Sequence, residues 1–318
     1  RRTGIEWFLP VGPLPMFQVT ARDVLSLTDE DLRTAIALTA EAEARRYGFA
    51  STSITWSGDQ RANDGGVDVQ AKLSSAPTLG MTIPRSFTAF QAKAEKMPVS
   101  KITKEMRPKG IVRAIFKELA DARGAYVIIS SKESLSKTAL AERVKAMRAA
   151  VHDVPGQRDL HLDFFDSGAL ATWIRGYAGP SVWVLEKVGR RLSNWKPFAA
   201  WAYAKEGVEA PYLIDEQVRV HVPDTNPETD FDALVALEKI RARLAEDKAS
   251  VRIVGLSGVG KTRFAQALFD ARVGSNALDH TLAVYTDVGH DPDPEPNSLI
   301  SDLIIAGTRA IVIVDNCR

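Results

Sequence analysis

Two groups of residues in this 318-residue chain have types and spacings that can do chemistry. The first is Gly255-Leu256-Ser257-Gly258-Val259-Gly260-Lys261-Thr262, which satisfies the phosphate-loop pattern G-x-x-x-x-G-K-[ST]. Its glycines let backbone N–H groups curl around phosphate without Cβ clashes. Lys261 is placed to reach the β- and γ-phosphates of ATP, and Thr262 to ligate Mg2+. The apolar run from Ala310 to Val314 ends in Asp315, a carboxylate suited to the same ion. Asn316 follows where many hydrolysing nucleotidases carry an acid, which points to a switch that holds nucleotide.

The second group is Asp64-Gly65-Gly66-Val67-Asp68, followed by Gln91-Ala92-Lys93. Gln91 and Lys93 are two apart, so a strand points both to one face, and a hairpin brings Asp68 beside them. A carboxylate and an amide carbonyl are hard ligands suited to Mg2+. Such an ion lowers the pKa of a bound water, and Lys93 can position that water or stabilise charge on a phosphorane. The plain alternative is polar residues on an exposed strand face. Between Lys93 and Lys117 the sequence holds eight Lys/Arg and two acids. This strip is either a phosphate-binding surface or a solvated helix face.

The elements that must position these groups can be read from periodicity. Thr28-Asp29-Glu30-Asp31 caps a helix over 29–47, closed by Gly48, with Leu32, Ile36 and Tyr47 on one face. Strands are expected at 67–73 and 87–93 around a loop at 74–85, then at 125–130 and 160–165. Helices are expected at 109–122, 134–150 and 167–176. Residues 191–228 read as a connector, packed through Trp195, Trp201 and Tyr203. The second unit reads as helix 229–246, strand 251–255, helix 261–270, strand 281–287, an acidic Pro-rich loop, helix 298–306 and strand 310–314. A phosphate-loop domain needs about five strands, so this unit reads as the beginning of a larger one.

Composition adds bounds. The chain is 45% hydrophobic and 25% charged, with net charge +1, which argues for packed cores. No run reaches the ~18 apolar residues of a membrane span. One cysteine, Cys317, excludes an internal disulfide and a Cys-based zinc site. A cytoplasmic location is expected. Residues 1–24 read as an N-terminal extension, with Met16 a natural start. The five histidines are scattered and read as structural or surface residues.

The Asp68, Gln91 and Lys93 pattern resembles the PD-(D/E)xK nucleases, specifically the Mrr-like restriction branch, in which Gln often replaces the acid. The resemblance spans about 25–180 and implies a restriction-endonuclease-like αβββαβ fold that cuts double-stranded DNA with Mg2+. No Pro-Asp dipeptide precedes the site, and loop 74–85 lengthens the hairpin. The family also places an acid on the first helix. At about 100° per residue Glu43 lies within about 20° of Leu32, whereas Glu41 falls on the opposite face. Glu43 on the apolar stripe needs a partner, which a metal or Lys93 would supply, or else an ion pair with Arg45 or Arg46. Glu41 reads as a solvated charge.

Residues 229–318 resemble the P-loop NTPase of STAND-type signalling switches. That resemblance implies ATP-dependent self-assembly and a downstream sensor for an invader-derived trigger. Together the two resemblances describe an antiphage effector, an endonuclease domain at 25–190 joined to a nucleotide switch at 229–318. The alternatives are a restriction enzyme with a DNA-translocating motor and a non-catalytic, nucleotide-governed DNA-binding module.

Overall fold

The computed structural model describes residues 18–56, 66–190, 192–202, 219–221 and 230–317. The protein is mixed α/β. Its first unit runs α1 (Ala21–Ser26), α2 (Asp29–Arg46), β1 (Ile54–Trp56), β2 (Val69–Lys72), β3 (Phe87–Lys93), α3 (Val99–Met106), α4 (Ile115–Asp121), β4 (Ala125–Ser130), α5 (Lys137–Ala150), β5 (His161–Phe165), α6 (Ser167–Arg175) and α7 (Ala178–Lys187). The five strands form one sheet in the order β1-β2-β3-β4-β5. The first two pairings are antiparallel, and β3-β4-β5 are parallel.

The interior strand β4, Ala-Tyr-Val-Ile-Ile-Ser, is buried throughout. An apolar run without alternation is what a parallel strand covered on both faces requires. On one face Phe90, Ala92, Val127 and Ile129 pack against α1, α2, α6 and α7. On the other, Ala89, Tyr126, Ile128 and Phe164 pack against α3, α4 and α5. Thr28 caps α2 by accepting from the Asp31 N–H at 3.1 Å. Acids fill its first turn and Arg45 and Arg46 its last, complementing the helix dipole. Its many alanines let it lie close to the sheet, with Ala35, Ala37, Ala40 and Ala44 fully buried.

Several expectations are corrected. The first unit begins before residue 25, because Val19, Val24 and Leu27 are core residues. Helix 109–122 is shorter: Pro108 and Gly110 make a 3-10 turn with Lys109 at φ +54°, and α4 starts at Ile115. The three-residue edge strand β1 and the helices α3 and α7 are additional to the elements read from periodicity. Strand β1 is too short to show alternation.

The second unit runs β6 (Trp195–Pro197), α8 (Phe198–Ala202), β7 (Arg219–His221), β8 (Asp230–Asp232), α9 (Ala233–Leu244), α10 (Lys261–Ala267), β9 (Ala283–Asp287), α11 (Pro296–Ala306) and β10 (Ile311–Asp315). A three-stranded sheet has the order β10-β9-β6, with β10 and β9 parallel and β6 antiparallel to β9. So residues 195–197 are not a connector but an edge strand, where Pro197 is tolerated. Trp195 and Trp201 are buried as expected; Tyr203 lies outside the described residues, as do 204–218 and 222–229. The expected strand 251–255 joins no ladder. Val251 and Ile253 pack on the α9–α10 core, while Val254 is 78% exposed.

One apolar core crosses the expected boundary at 190. Val182, Val184 and Leu185 of α7 share a cluster with Trp195, Val284, Leu299 and Leu303. The Trp195 indole donates to the Pro294 carbonyl at 2.8 Å. Gly179 on α7 sits so close to the second unit that a Cβ there would lie 2.5 Å from the Thr281 carbonyl oxygen. Gly179→Ala is therefore expected to destabilise by about 1–3 kcal/mol through overpacking. Gly168→Ala on α6 meets only ordinary contact, at 3.4 Å. Thermal melts of the two variants check this: a melting temperature unchanged in Gly179→Ala would contradict the close approach.

Candidate functional site

Asp68 stands just before β2, where its N–H donates to the Phe90 carbonyl at 2.9 Å. Its carboxylate turns toward β3. Oδ2 accepts from the Ala92 N–H at 2.7 Å and from Gln91 Nε2 at 2.5 Å. The hairpin thus brings Asp68 to Gln91 as the spacing predicts. Asp64 and Gly65 lie outside the described residues. Gln91 and Lys93 share the face of β3 that looks toward α3. There Lys93 Nζ pairs with Glu105 Oε2 at 2.9 Å.

Four further residues complete the cluster, and the sequence reading missed all of them. Glu105 on α3 also pairs with Arg113 at 2.9 Å. Arg113 lies over Gly66, whose positive φ of +88° and lack of a Cβ leave room for the guanidinium. The buried Tyr126 hydroxyl is 3.0 Å from the Gly66 carbonyl and 3.4 Å from Gln91 Oε1. Arg33 on α2 lies 3.7 Å from Asp68 Oδ1 and is anchored by Asp29 at 2.7 Å. The signals were present but ambiguous: Ile102 and Met106 mark α3 by i, i+4 spacing, yet nothing local says that Glu105 meets Lys93.

Burial pushes the Asp68 carboxyl pKa up to about 6, against the pull of the Ala92 N–H, Arg33 and Lys93. A raised carboxyl pKa means that the folded state binds the proton more tightly than the unfolded one. Asp68 therefore subtracts stability as pH rises from about 4 to about 7. In metal-free buffer Asp68→Asn is expected to gain on wild type in melting temperature across that window. A gap that is constant or closes with rising pH would contradict the strained carboxylate.

Glu43 is buried, as its place on the apolar stripe predicts, but its partners are different. Oε1 accepts from the Thr82 N–H and Oε2 from the Ile83 N–H, both at 2.8 Å, and the Tyr177 hydroxyl donates to Oε1 at 3.1 Å. It meets neither Lys93 nor Arg45 nor Arg46. Ten residues at ~1.5 Å each separate it along α2 from Arg33, the helix residue that faces Asp68. Glu43 is the anchor of loop 74–85. Glu43→Gln leaves a loop N–H facing an amide donor, with an expected loss of about 1–3 kcal/mol. A calorimetric melt of Glu43→Gln checks it, and unchanged stability would count against the anchor. Glu41 is half-buried beside Arg45 and Trp56, and burial pushes its carboxyl pKa up, so it is not the freely solvated charge expected.

The basic strip is partly neutralised. Lys93 and Arg113 pair with Glu105, Lys101 with Glu95, and Arg107 with Asp153. Lys96, Lys104, Lys109 and Lys117 make no ion pair among the described residues.

In the second unit the residues of the 255–262 motif lie near the end of β10. Gly258 and Gly260 take φ of +80° and +89°, which only glycine adopts without strain. Gly255 approaches Val259, so that a Cβ there would lie 3.3 Å from its Cγ2. Lys261 Nζ donates to the carbonyls of Gly255 at 3.0 Å and Leu256 at 2.8 Å. The Thr262 hydroxyl donates to Asp315 Oδ2 at 2.6 Å. Parallel register places Asp315 beside Asp287 at the ends of β10 and β9. Asn316 Nδ2 bridges to Asp287 at 2.9 Å, which helps hold the Asp287 carboxyl below its ordinary range. Tyr285 stacks on Trp201 at 4.5 Å and reaches Asp315 Oδ2 at 3.4 Å. Burial and the two nearby aspartates push the Tyr285 phenol up to about 12.

Both clusters can be tested as cation sites on their donors. Asp68 Oδ1 touches only Arg33, at 3.7 Å, and so retains acceptor capacity. Gln91 presents Nε2 rather than Oε1 to Asp68, so it serves a cation only with its amide reversed. Tyr126 tolerates either orientation, because a phenol both donates and accepts. Mg2+ keeps several waters and takes one or two carboxylates plus substrate phosphate oxygens, and Asp68 offers one such carboxylate. Thr262 and Asp315 offer a hydroxyl and a carboxylate already within hydrogen-bond distance. Among the described residues no three His, Cys, Asp or Glu side chains gather as a metal cage, and no helix is long and apolar enough to cross a membrane. Compared with protein-family models, curated proteins and solved structures, the chain matches none.

Proposed function

We propose that this protein is a Mg2+-dependent endonuclease for double-stranded DNA whose activity is governed by ATP at a P-loop switch. In this reading the first unit is a restriction-endonuclease-like αβββαβ domain of the Mrr-like kind, and the second is part of a STAND-type nucleotide-binding domain. The observation that carries it is the meeting of Asp68, Gln91, Lys93 and Glu105 at one end of β2 and β3. A strained carboxylate, an amide and an amine gathered at a strand end are the arrangement expected where phosphodiester chemistry occurs.

Asp68 and a reversed Gln91 would hold Mg2+. When bound, the ion supplies a more acidic water and charge neutralisation at the scissile phosphate. Lys93 holds a positive charge at the same face. Glu105 keeps it there, and a DNA phosphate would compete with Glu105 for that amine. Arg113 and the unpaired lysines of the strip would bind the backbone without reading sequence. Arg33, with the Ala92 N–H, opposes the burial that raises the Asp68 carboxyl pKa. Tyr126 contacts the Gln91 amide and can serve it in either orientation.

Lys261, Thr262 and Asp315 form the nucleotide site. Lys261 now donates to loop carbonyls, a position from which phosphate oxygens would draw it. Asn316 bonds Asp287 instead of polarising a water, which favours a switch over a rapid hydrolase. One nuclease constellation per chain suits self-assembly, so that two sites cut two strands. The same logic suggests an antiphage effector released by an invader component.

A second reading has its own observation. Arg33 and Lys93 already balance Asp68, and a site so neutralised suits a non-catalytic DNA-binding module. A plasmid-cleavage assay with Mg2+ and Mn2+ separates the two readings. Asp68→Ala and Lys93→Ala are each expected to lose at least about 100-fold in rate while still binding DNA. Full activity in Asp68→Ala would refute the nuclease. For the switch, Lys261→Ala is expected to weaken ATP binding at least about tenfold in calorimetry, ~1.4 kcal/mol. Equal affinity would remove the site.

A further inference from the structure

At the opposite end of the first sheet lies a second charged feature, unrelated to Asp68. The residues that lead into β3, β4 and β5 converge there around a cavity of about 320 Å³. Arg85 precedes β3, Arg123 precedes β4, and Asp159 and His161 flank the start of β5, with Arg148 reaching in from α5 and Arg158 from the preceding loop. Six residues at ~3.3 Å each put Arg85 about 20 Å along β3 from Gln91.

The arginines differ in what they do. Arg148 is structural: its guanidinium donates to the carbonyls of Gln157 at 2.7 Å and Leu160 at 3.0 Å. The side chains of Arg85, Arg123 and Arg158 make no hydrogen bond or ion pair among the described residues. Four guanidiniums against the single carboxylate of Asp159 leave the cavity lining at net +3. Outside the lining, Asp163 lies 4.0 Å from His161. His161 registers the field: burial depresses its imidazole, Asp163 opposes this, and Arg85 and Arg148 depress it further.

The cavity also has a continuation. Arg148 and Arg158 also line a larger open groove along the outer face of α5, together with Ala141, Val144 and Ala149. Lys145 and His152 belong to the same lining.

We propose that this cavity is an anion site for a ligand carrying two or more linked phosphate groups, with the α5 groove receiving the rest of the molecule. A single phosphate, at two charges or fewer, leaves part of the cavity charge unmet, whereas linked phosphates match it. Free guanidiniums in a common cavity suit phosphate because each can donate a planar pair of N–H bonds. The linked phosphates could belong to a soluble polyphosphate ligand or to a nucleic-acid backbone. The site stands whether or not the Asp68 cluster cuts DNA.

The test uses the full chain carrying Lys261→Ala, so that the phosphate loop does not contribute, in buffer with EDTA. Inorganic tripolyphosphate is titrated by calorimetry into this protein and into the same protein with Arg85→Ala and Arg158→Ala added. Both arginines are exposed and bond nothing through their side chains, so folding is expected to be unaffected, which a thermal melt verifies. The expected result is saturable binding that weakens at least tenfold in the arginine variant. A short DNA duplex is then added as competitor. Displacement of tripolyphosphate, with the duplex showing the same arginine dependence, assigns the site to a nucleic-acid backbone; failure to displace it assigns the site to a soluble polyphosphate. Equal affinity in both proteins, or no saturable binding of either probe, overturns the proposal.

Discussion

The carboxylate of Asp68 sits where burial opposes its ionisation, and much of the first unit is arranged to hold it there. The β2–β3 register delivers the Ala92 N–H to Oδ2, and the parallel pairing of β3 with β4 places Tyr126 behind Gln91. The Ala-rich face of α2 lets that helix approach closely enough for Arg33 to stand beside Oδ1. None of these contributions is local. A site built this way loses stability to gain a poised charge, which is how strained groups persist at places of function.

A similar dependence appears in the second unit. The Thr262–Asp315 contact exists because α10 and the end of β10 are brought together by a core of Leu237, Leu268, Phe269 and Ala283. Arg241, buried in that core, donates to the carbonyls of Ala267, Leu268, Val273 and Ser275 and so closes the segment that follows α10. Through β6 and Trp195 the sheet is fastened to α7 of the first unit. A change at β9 therefore meets α7 directly, since Val284 and Val184 belong to one apolar cluster.

What the sequence made legible was spacing within an element. Gln91 and Lys93 on one strand face, the closing of the hairpin onto Asp68, the phosphate-loop glycines and the carboxylate ending β10 all follow from periods of two or from a contiguous motif. What it hid was the meeting of distant elements. Helical arithmetic put Glu43 on the buried face correctly but carries no information about height along the axis, so Tyr177 and the 82–83 backbone, not Lys93, took its carboxylate. Glu105, Arg113 and Tyr126 join the site through tertiary packing alone. The strand at 251–255 was expected from β-branched residues, yet a strand exists only where a neighbour pairs with it. Trp195–Pro197 shows the converse: a segment without periodicity became a strand because β9 offered an edge.

The most direct measurement is crystallographic, on the full chain bound to a short DNA duplex with Mn2+. The account predicts an anomalous-scattering peak within ligand distance of the Asp68 carboxylate, with the Gln91 amide oxygen turned toward it and Lys93 released from Glu105 to a DNA phosphate. Well-ordered DNA with no metal at Asp68, and with the Lys93–Glu105 pair intact, would contradict it.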